Sequence, residues 1–317
     1  MTKFLKKILY FSILLSCFVF LAILMPATPK AKSSHLFAKG FKDSLLVNTI
    51  NPRIIFVGGS NIAFGINSKV IKDSLKINPI NTGYNAGIGL SYMMSNILDK
   101  VNNGDIIILS PEYQFFYGQG LNGDISQLIT LIDVPNGRNL KLSFKNYFHI
   151  LKYIPEFTLS KFKITNYLVD PNLSKGIYGK LSFNKFGDSY RHWGLKNEFG
   201  FNYTIMAGEF DNQVVNYILF MEEELQKKGA SLFITFPGIN KTSYLNNKSK
   251  INHIFQSLQK NDFNLIGNPF DFMYPDSLKF DSPYHPNKKG ALLRSYKFVR
   301  EFKRVFEVDT FLNKNKI

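Results

Sequence analysis

The chain has 317 residues, of which 45% are hydrophobic and 15% aromatic, enough to bury a large core and to exclude an intrinsically disordered type. Its formal net charge of +16 favours anionic surfaces such as phospholipid or an acidic polymer, but reads first as an ordinary solvated basic surface. No compact Arg-rich helix, zinc spacing or RNA-stacking motif accompanies that charge, so nucleic acid is not an expected partner, and the lone Cys17 excludes intrachain disulfides and cysteine-cluster metal sites.

Lys3, Lys6 and Lys7 lead into residues 8–25, an uncharged run long enough to span the hydrocarbon core as a helix. Basic residues ahead of such a run favour a cytoplasmic N-terminus, with the bulk of the chain extracytoplasmic, on the periplasmic side. The following PATPKAKSS offers no small-x-small cleavage site, so residues 1–25 read as an uncleaved membrane anchor. Leu14-Leu15-Ser16-Cys17 is similar to a lipobox, but 18–25 stays apolar where a processed lipoprotein turns polar.

Residues 26–51 form a polar, basic connector with a short helix expected around 37–46. Arg53-Ile54-Ile55-Phe56-Val57, opened by Pro52 and closed by Gly58-Gly59, reads as a buried strand of a parallel sheet. Ser60-Asn61 follows at once, and a hydroxyl just past the C-terminal end of a central strand stands where open α/β sheets place their ligands. A helix is expected over 67–75 with Ser68 as N-cap, and a strand over 80–85 ending in Asn85 and the Ala86-Gly87-Ile88-Gly89 turn. A helix over 91–101 and a strand over 105–111, apolar at its centre, come next.

Residues 113–208 break this rhythm. Rich in aromatics, Asn, Lys and Gly, the region is too long for one loop and reads as an insertion over the strand ends, with short helices near 146–153. It places His192 beside Trp193, as an aromatic cluster or a cleft wall. Regularity returns with a helix over 211–228, a strand over 231–236, a helix over 249–261, a short strand over 263–266 and a last helix over 286–306 opened by Pro286. Alternating strands and helices of this length predict an α/β fold, a three-layer α/β/α sandwich on a parallel sheet, over 52–309, with 310–317 as a tail.

Just before the last helix stands Phe280-Asp281-Ser282-Pro283-Tyr284-His285-Pro286-Asn287. A serine hydroxyl is a poor nucleophile until a base takes its proton, and the base needs a partner that fixes its tautomer. His285 and Asp281 supply that pair for Ser60, with Asp276 and Asp271 as alternative acids. Glu112, closing the third strand, is expected to face the same cleft. His35, His149 and His253 have no metal-ligand partner at suitable spacing and read as surface or packing residues. No metal or cofactor is expected.

The strand–GGSN turn, the Gly87 turn and the terminal D-SPY-HPN-KKG stretch occur in an order that resembles the SGNH/GDSL hydrolase superfamily, whose sheet is flavodoxin-like. The likeness is greatest to its membrane-anchored relatives in acylation of cell-surface polymers, among them the D-alanine transfer protein of teichoic acid synthesis and exopolysaccharide acetylation proteins. The resemblance implies an esterase or O-acyltransferase with Ser60 as nucleophile, His285 as base and Asp281 as orienting acid. It implies an oxyanion hole from the Ser60 and Gly87 amides, with Asn61 or Asn85 as a further donor. It also implies cell-envelope polysaccharide and an acyl donor as substrates, and a multi-span membrane O-acyltransferase as partner; a degenerate domain that binds glycan or scaffolds such an enzyme is the alternative. Three positions depart from the family pattern. Gly59 replaces the usual aspartate, Ser110-Pro111-Glu112-Tyr113 stands where a G-x-N-D block belongs, and Asp281 and His285 are one residue further apart than usual.

Overall fold

The computed structural model describes residues 2–118, 120–124, 127, 130, 131, 133, 134, 144–170, 176–197 and 204–314. Of the readings above, positions 119, 125, 126, 128, 129, 132, 135–143, 171–175 and 198–203 of the insertion and 315–317 of the tail lie outside the described residues.

The apolar runs become strands: β1 (Arg53–Gly58), β2 (Asn78–Asn81), β3 (Ile106–Ser110) and β4 (Ser231–Thr235). Beyond them lie β5 (Ile239–Asn240), β6 (Leu265–Ile266), β7 (Met273–Tyr274), β8 (Lys279–Ser282) and β9 (His285–Pro286). Five of these form one parallel sheet in the order β2-β1-β3-β4-β6. All six residues of β1 are buried, as a central strand covered on both faces requires. The strand order reverses between β1 and β3, and ligands of such sheets sit at the C-terminal ends of the two strands flanking that reversal.

The start of the frame is held by charge. Arg53, fully buried at the head of β1, gives Nε to Asp105 Oδ1 at 2.8 Å and a second N–H to Asp105 Oδ2, just before β3. Removing one partner of such a pair leaves a bare buried charge and costs about 3–5 kcal/mol. The last helix, Lys288–Lys314, turns Phe298 and Phe302 inward, and Phe298 meets Phe56 of β1 at 5.1 Å between ring centroids. It begins at Lys288, because Pro286, expected in its first turn, is taken up by β9, and it runs on through 310–314. Another boundary also shifts. The helix Ser68–Leu75 is capped by Asn67, whose side chain accepts the amides of Lys69 and Val70, while the Ser68 hydroxyl is given to Asp188.

The insertion docks through polar contacts with the core. Asp188, fully buried, accepts the Ser68 amide at 2.9 Å, the Ser68 hydroxyl at 2.6 Å and Asn81 Nδ2 at 2.9 Å. Ser189 N donates to Ala63 O, and Asn81 N to Phe186 O, both at 2.8 Å. Lys42 of the connector helix Lys39–Asn48 is buried and donates to the carbonyls of Gly83 and Gly187. Earlier in the insertion, Gly179 is bridged in antiparallel fashion by Ser34 of the connector, with His35 N on Tyr178 O at 3.0 Å and Lys180 N on Ser33 O at 3.1 Å.

Helix Thr2–Leu24 is long and apolar enough to cross a membrane or to serve as a signal sequence. It runs beside the helix Phe144–Phe162 of the insertion, which is longer than the segment expected near 146–153 and carries Pro155 within it.

Candidate active site

The site is set by strand register. Gly58 of β1 lies opposite Ser110 of β3, so the second residue after each, Ser60 and Glu112, emerge together. Ser60 opens the short helix Ser60–Gly65, and its Oγ donates to Glu112 Oε1 at 3.1 Å. The same oxygen accepts the Asn61 amide at 3.1 Å, and Glu112 Oε2 accepts Gln114 Nε2 at 3.1 Å. Glu112 is 1% exposed. Desolvation raises its pKa against the opposing hydrogen bond from the Asn61 amide, the His285 charge and the Ser60 hydroxyl. This contact also accounts for Gly59: a Cβ there would meet Glu112 Oε1 at 2.7 Å and Ala86 backbone atoms at 2.9 Å. An aspartate at 59 has no room because an acid from the neighbouring strand already fills that space.

The second half of the site is the β8–β9 hairpin. Ser282 pairs with His285, and the tight turn brings Asp281 Oδ1 to 2.8 Å from His285 Nδ1. The longer spacing between acid and base is therefore absorbed by the hairpin. Tyr178 of the insertion donates to the other Asp281 oxygen and lies 3.3 Å from His285 Nδ1. Burial alone would raise Asp281, but the hydrogen bond and charge of His285 and the Tyr178 hydroxyl bring its pKa below the ordinary value. The alternative acids are engaged elsewhere: Asp276 binds Asn240 and Thr242, and Asp271 accepts from Asn268.

His285 is 7% exposed, its ring stacked on Phe64 at 4.2 Å and 12°. His192 is fully buried and tilts against Phe64 and Phe280. Its Nε2–H donates to Pro286 O at 3.1 Å, and burial lowers its pKa to about 4, so a neutral ring holds the backbone next to His285. The aromatic cluster expected at His192 and Trp193 thus positions the hairpin.

Ser60 and His285 line one cavity of about 90 Å³, together with His35, Phe64, Tyr84, Asn85, Tyr178, Phe183 and Ser189. His35, expected at the surface or in packing, belongs to this wall, and burial lowers its pKa to about 4. Two buried hydroxyls among the lining residues, on Tyr84 and Ser189, have no partner among the described residues.

Two expected donors are displaced. The Gly87 amide, assigned to the oxyanion, donates at 2.8 Å to Asn85 Oδ1. Asn61 is fully buried, gives Nδ2 to Ser110 O at 3.0 Å, and receives at Oδ1 the Ser110 hydroxyl and Arg294. It is a buried joint, with its amide turned from the cavity. Asn85 keeps its place on the wall, and the Gly87 contact fixes Oδ1 as acceptor, so Nδ2 is its donor. Arg294 went unassigned in the sequence. Buried on the last helix, it ties Asn61 O, Ser110 Oγ at 3.0 Å and Phe236 O at 3.1 Å, joining the ends of β1, β3 and β4 beneath Ser60. Among the described residues no His, Cys, Asp and Glu cluster suits a metal ion.

Compared with known proteins, the chain matches no family model and no curated protein.

Proposed function

We propose that the protein is a membrane-anchored, SGNH-like serine esterase or O-acyltransferase, with the three-layer sandwich of that superfamily, acting on small O-acyl groups of cell-envelope polysaccharide. The observation that carries this reading is that His285, bonded to Asp281, lines the same cavity as Ser60, at the C-terminal end of β1. In the first half-reaction Ser60 Oγ bonds to the acyl carbonyl carbon while His285 Nε2 takes the hydroxyl proton. Asp281 holds Nδ1–H and stabilises the imidazolium. The tetrahedral oxyanion takes donors from the Ser60 amide and Asn85 Nδ2, the electrostatic contribution that dominates acyl transfer. Collapse breaks the bond to the alcohol, which leaves with the proton from His285. Water or a sugar hydroxyl then attacks the acyl-serine, and its proton returns through His285.

Cavity size bears on the acyl group. At about 90 Å³ it is smaller than the roughly 150 Å³ that admits benzene, and its aromatic walls suit a short acyl chain such as acetyl. The unpartnered hydroxyls of Tyr84 and Ser189 favour a ligand that brings oxygen.

A second reading rests on one observation: the Ser60 hydroxyl donates to Glu112 and makes no hydrogen bond to His285. On that reading the domain is non-catalytic, binding glycan or scaffolding a membrane O-acyltransferase. Treating the detergent-solubilised full chain with a fluorophosphonate probe separates the two. Labelling that disappears in Ser60→Ala supports the enzyme; an unlabelled wild type supports the binding domain.

A further inference from the structure

The insertion carries a feature that the acyl-transfer chemistry does not use. Past the buried Phe157, the end of the helix Phe144–Phe162 and the turn after it present Leu159, Phe162, Ile164, Tyr167, Leu168 and Val169 to the outside, with Ile164 75% and Leu168 77% exposed. So many large apolar side chains on one short stretch mark an interaction surface.

What covers them follows from where they sit. Phe162 stacks on Phe18 of the N-terminal helix, with centroids 4.8 Å apart and planes at 14°. Phe18 precedes the end of that helix at Leu24 by about 9 Å at 1.5 Å per residue, so a ring stacked on it stands at hydrocarbon depth when the helix spans. Ala22, also within the apolar run, is fully buried, again with protein around the outer end of the span. The junction is fixed by Lys161, buried, which donates to the carbonyls of Met25 and Pro26 at 3.4 Å and to Asp133 at 2.6 Å. The segment Pro29–Ser33 packs on the turn Ile164–Asn166. Lys30, Lys32 and Lys163 stand exposed around this junction, placed for lipid phosphates while the apolar side chains enter the acyl layer.

We propose that the exposed side chains of Leu159, Phe162, Ile164, Tyr167, Leu168 and Val169 form a second membrane contact, inserted into the same bilayer leaflet from which the N-terminal helix emerges, with lipid acyl chains as their occupant. The contact fixes the domain against the membrane at two places and so sets its orientation. This inference rests on the N-terminal helix being a span, and is independent of the chemistry at Ser60.

The test uses the full chain in phosphatidylcholine–phosphatidylglycerol vesicles, with an NBD fluorophore on one thiol at a time. Labels go on native Cys17 and, in the Cys17→Ser background, on Ile164→Cys, Leu168→Cys and the exposed control Lys260→Cys. Emission of Trp193 checks the fold of each variant. The expected result is that nitroxide-bearing lipids quench labels 164 and 168 as deeply as the label at 17, whereas aqueous iodide quenches the control alone. Iodide access at 164 and 168 would place them in water and overturn the inference. Blue-shifted emission that neither quencher touches would place them against a second copy or a partner protein, which also overturns it. An unquenched label at 17 removes the span, and the second contact with it.

Discussion

Glu112 and Asp281 stand behind two residues of the cavity wall, Ser60 and His285, and reach them by different routes. Glu112 arrives along the sheet: β1 and β3 are in register, Arg53–Asp105 locks their beginnings and Arg294 ties their ends, so Ser60 and Glu112 meet by the geometry of the frame. Asp281 arrives on a hairpin whose surroundings come from three separate stretches, with Tyr178 bound to it, Phe64 under His285 and His192 holding Pro286. The frame thus places Ser60 and the loops place His285. Electrostatics differ in the same sense: burial dominates at Glu112 and raises it, whereas at Asp281 His285 and Tyr178 overcome burial and lower it. One acid is a costly buried carboxylate beside the serine, and the other is ready to hold an imidazolium.

The largest expected effect tests whether the two halves act as one. Ser60→Ala and His285→Ala should each lower turnover of a short acyl ester by about 10⁴- to 10⁶-fold, and the double variant should be little worse than either. Additive losses in a kinetic comparison of all three would separate the halves. Next comes the contest between the acids. Asp281→Asn should cost about 10⁴-fold in kcat through the wrong tautomer, and Glu112→Gln no more than about tenfold. The reverse ranking would make Glu112 the base for Ser60.

Tyr178→Phe sharpens the loop side. It removes an exposed hydrogen bond to a charged acceptor, so kcat should fall by less than in Asp281→Asn and the thermal midpoint by no more than a few degrees. The smallest effect concerns stability. Glu112 has a folded pKa above its unfolded one, so its contribution is fully present below the ordinary carboxylate pKa and is lost as pH rises through the raised value. Glu112→Gln should therefore have a higher thermal midpoint than wild type at pH 7, and the gap should close as pH falls below about 4. Midpoints that differ equally at both pH values would remove burial as the cause.

Much of this frame could be read from residues in a line. Apolar runs ended by glycine marked β1 and β3, and Ser60, Asp281 and His285 lie in short stretches whose chemistry is local. The Ser60–Glu112 contact could not be read so, because it depends on the register of strands that are distant in sequence. The Gly87 amide is held in an Asx turn by Asn85, a competition for the donor that its place in the sequence does not reveal. Arg294 had a usable signal: Ala291, Ser295, Phe298 and Phe302 share its helical face and are buried, so a charge among them had to be bonded. The stretch 176–189 shows no period because hydrogen bonds to Asn81, Ala63 and Ser68 order it, in place of an apolar face of its own.

The bridge between Ser34 and Gly179, with His35 in the cavity wall, limits how far the chemistry can travel. Stretch 25–35 would reach at most about 40 Å if fully extended, and the helix Pro29–Ser33 shortens it. With the N-terminal helix embedded, the cavity is held on a short leash and stays within that reach of the membrane surface. A protease that freed the domain by cutting after His35 would also tear out part of the cavity wall, so a shed form cut there would be a disabled one.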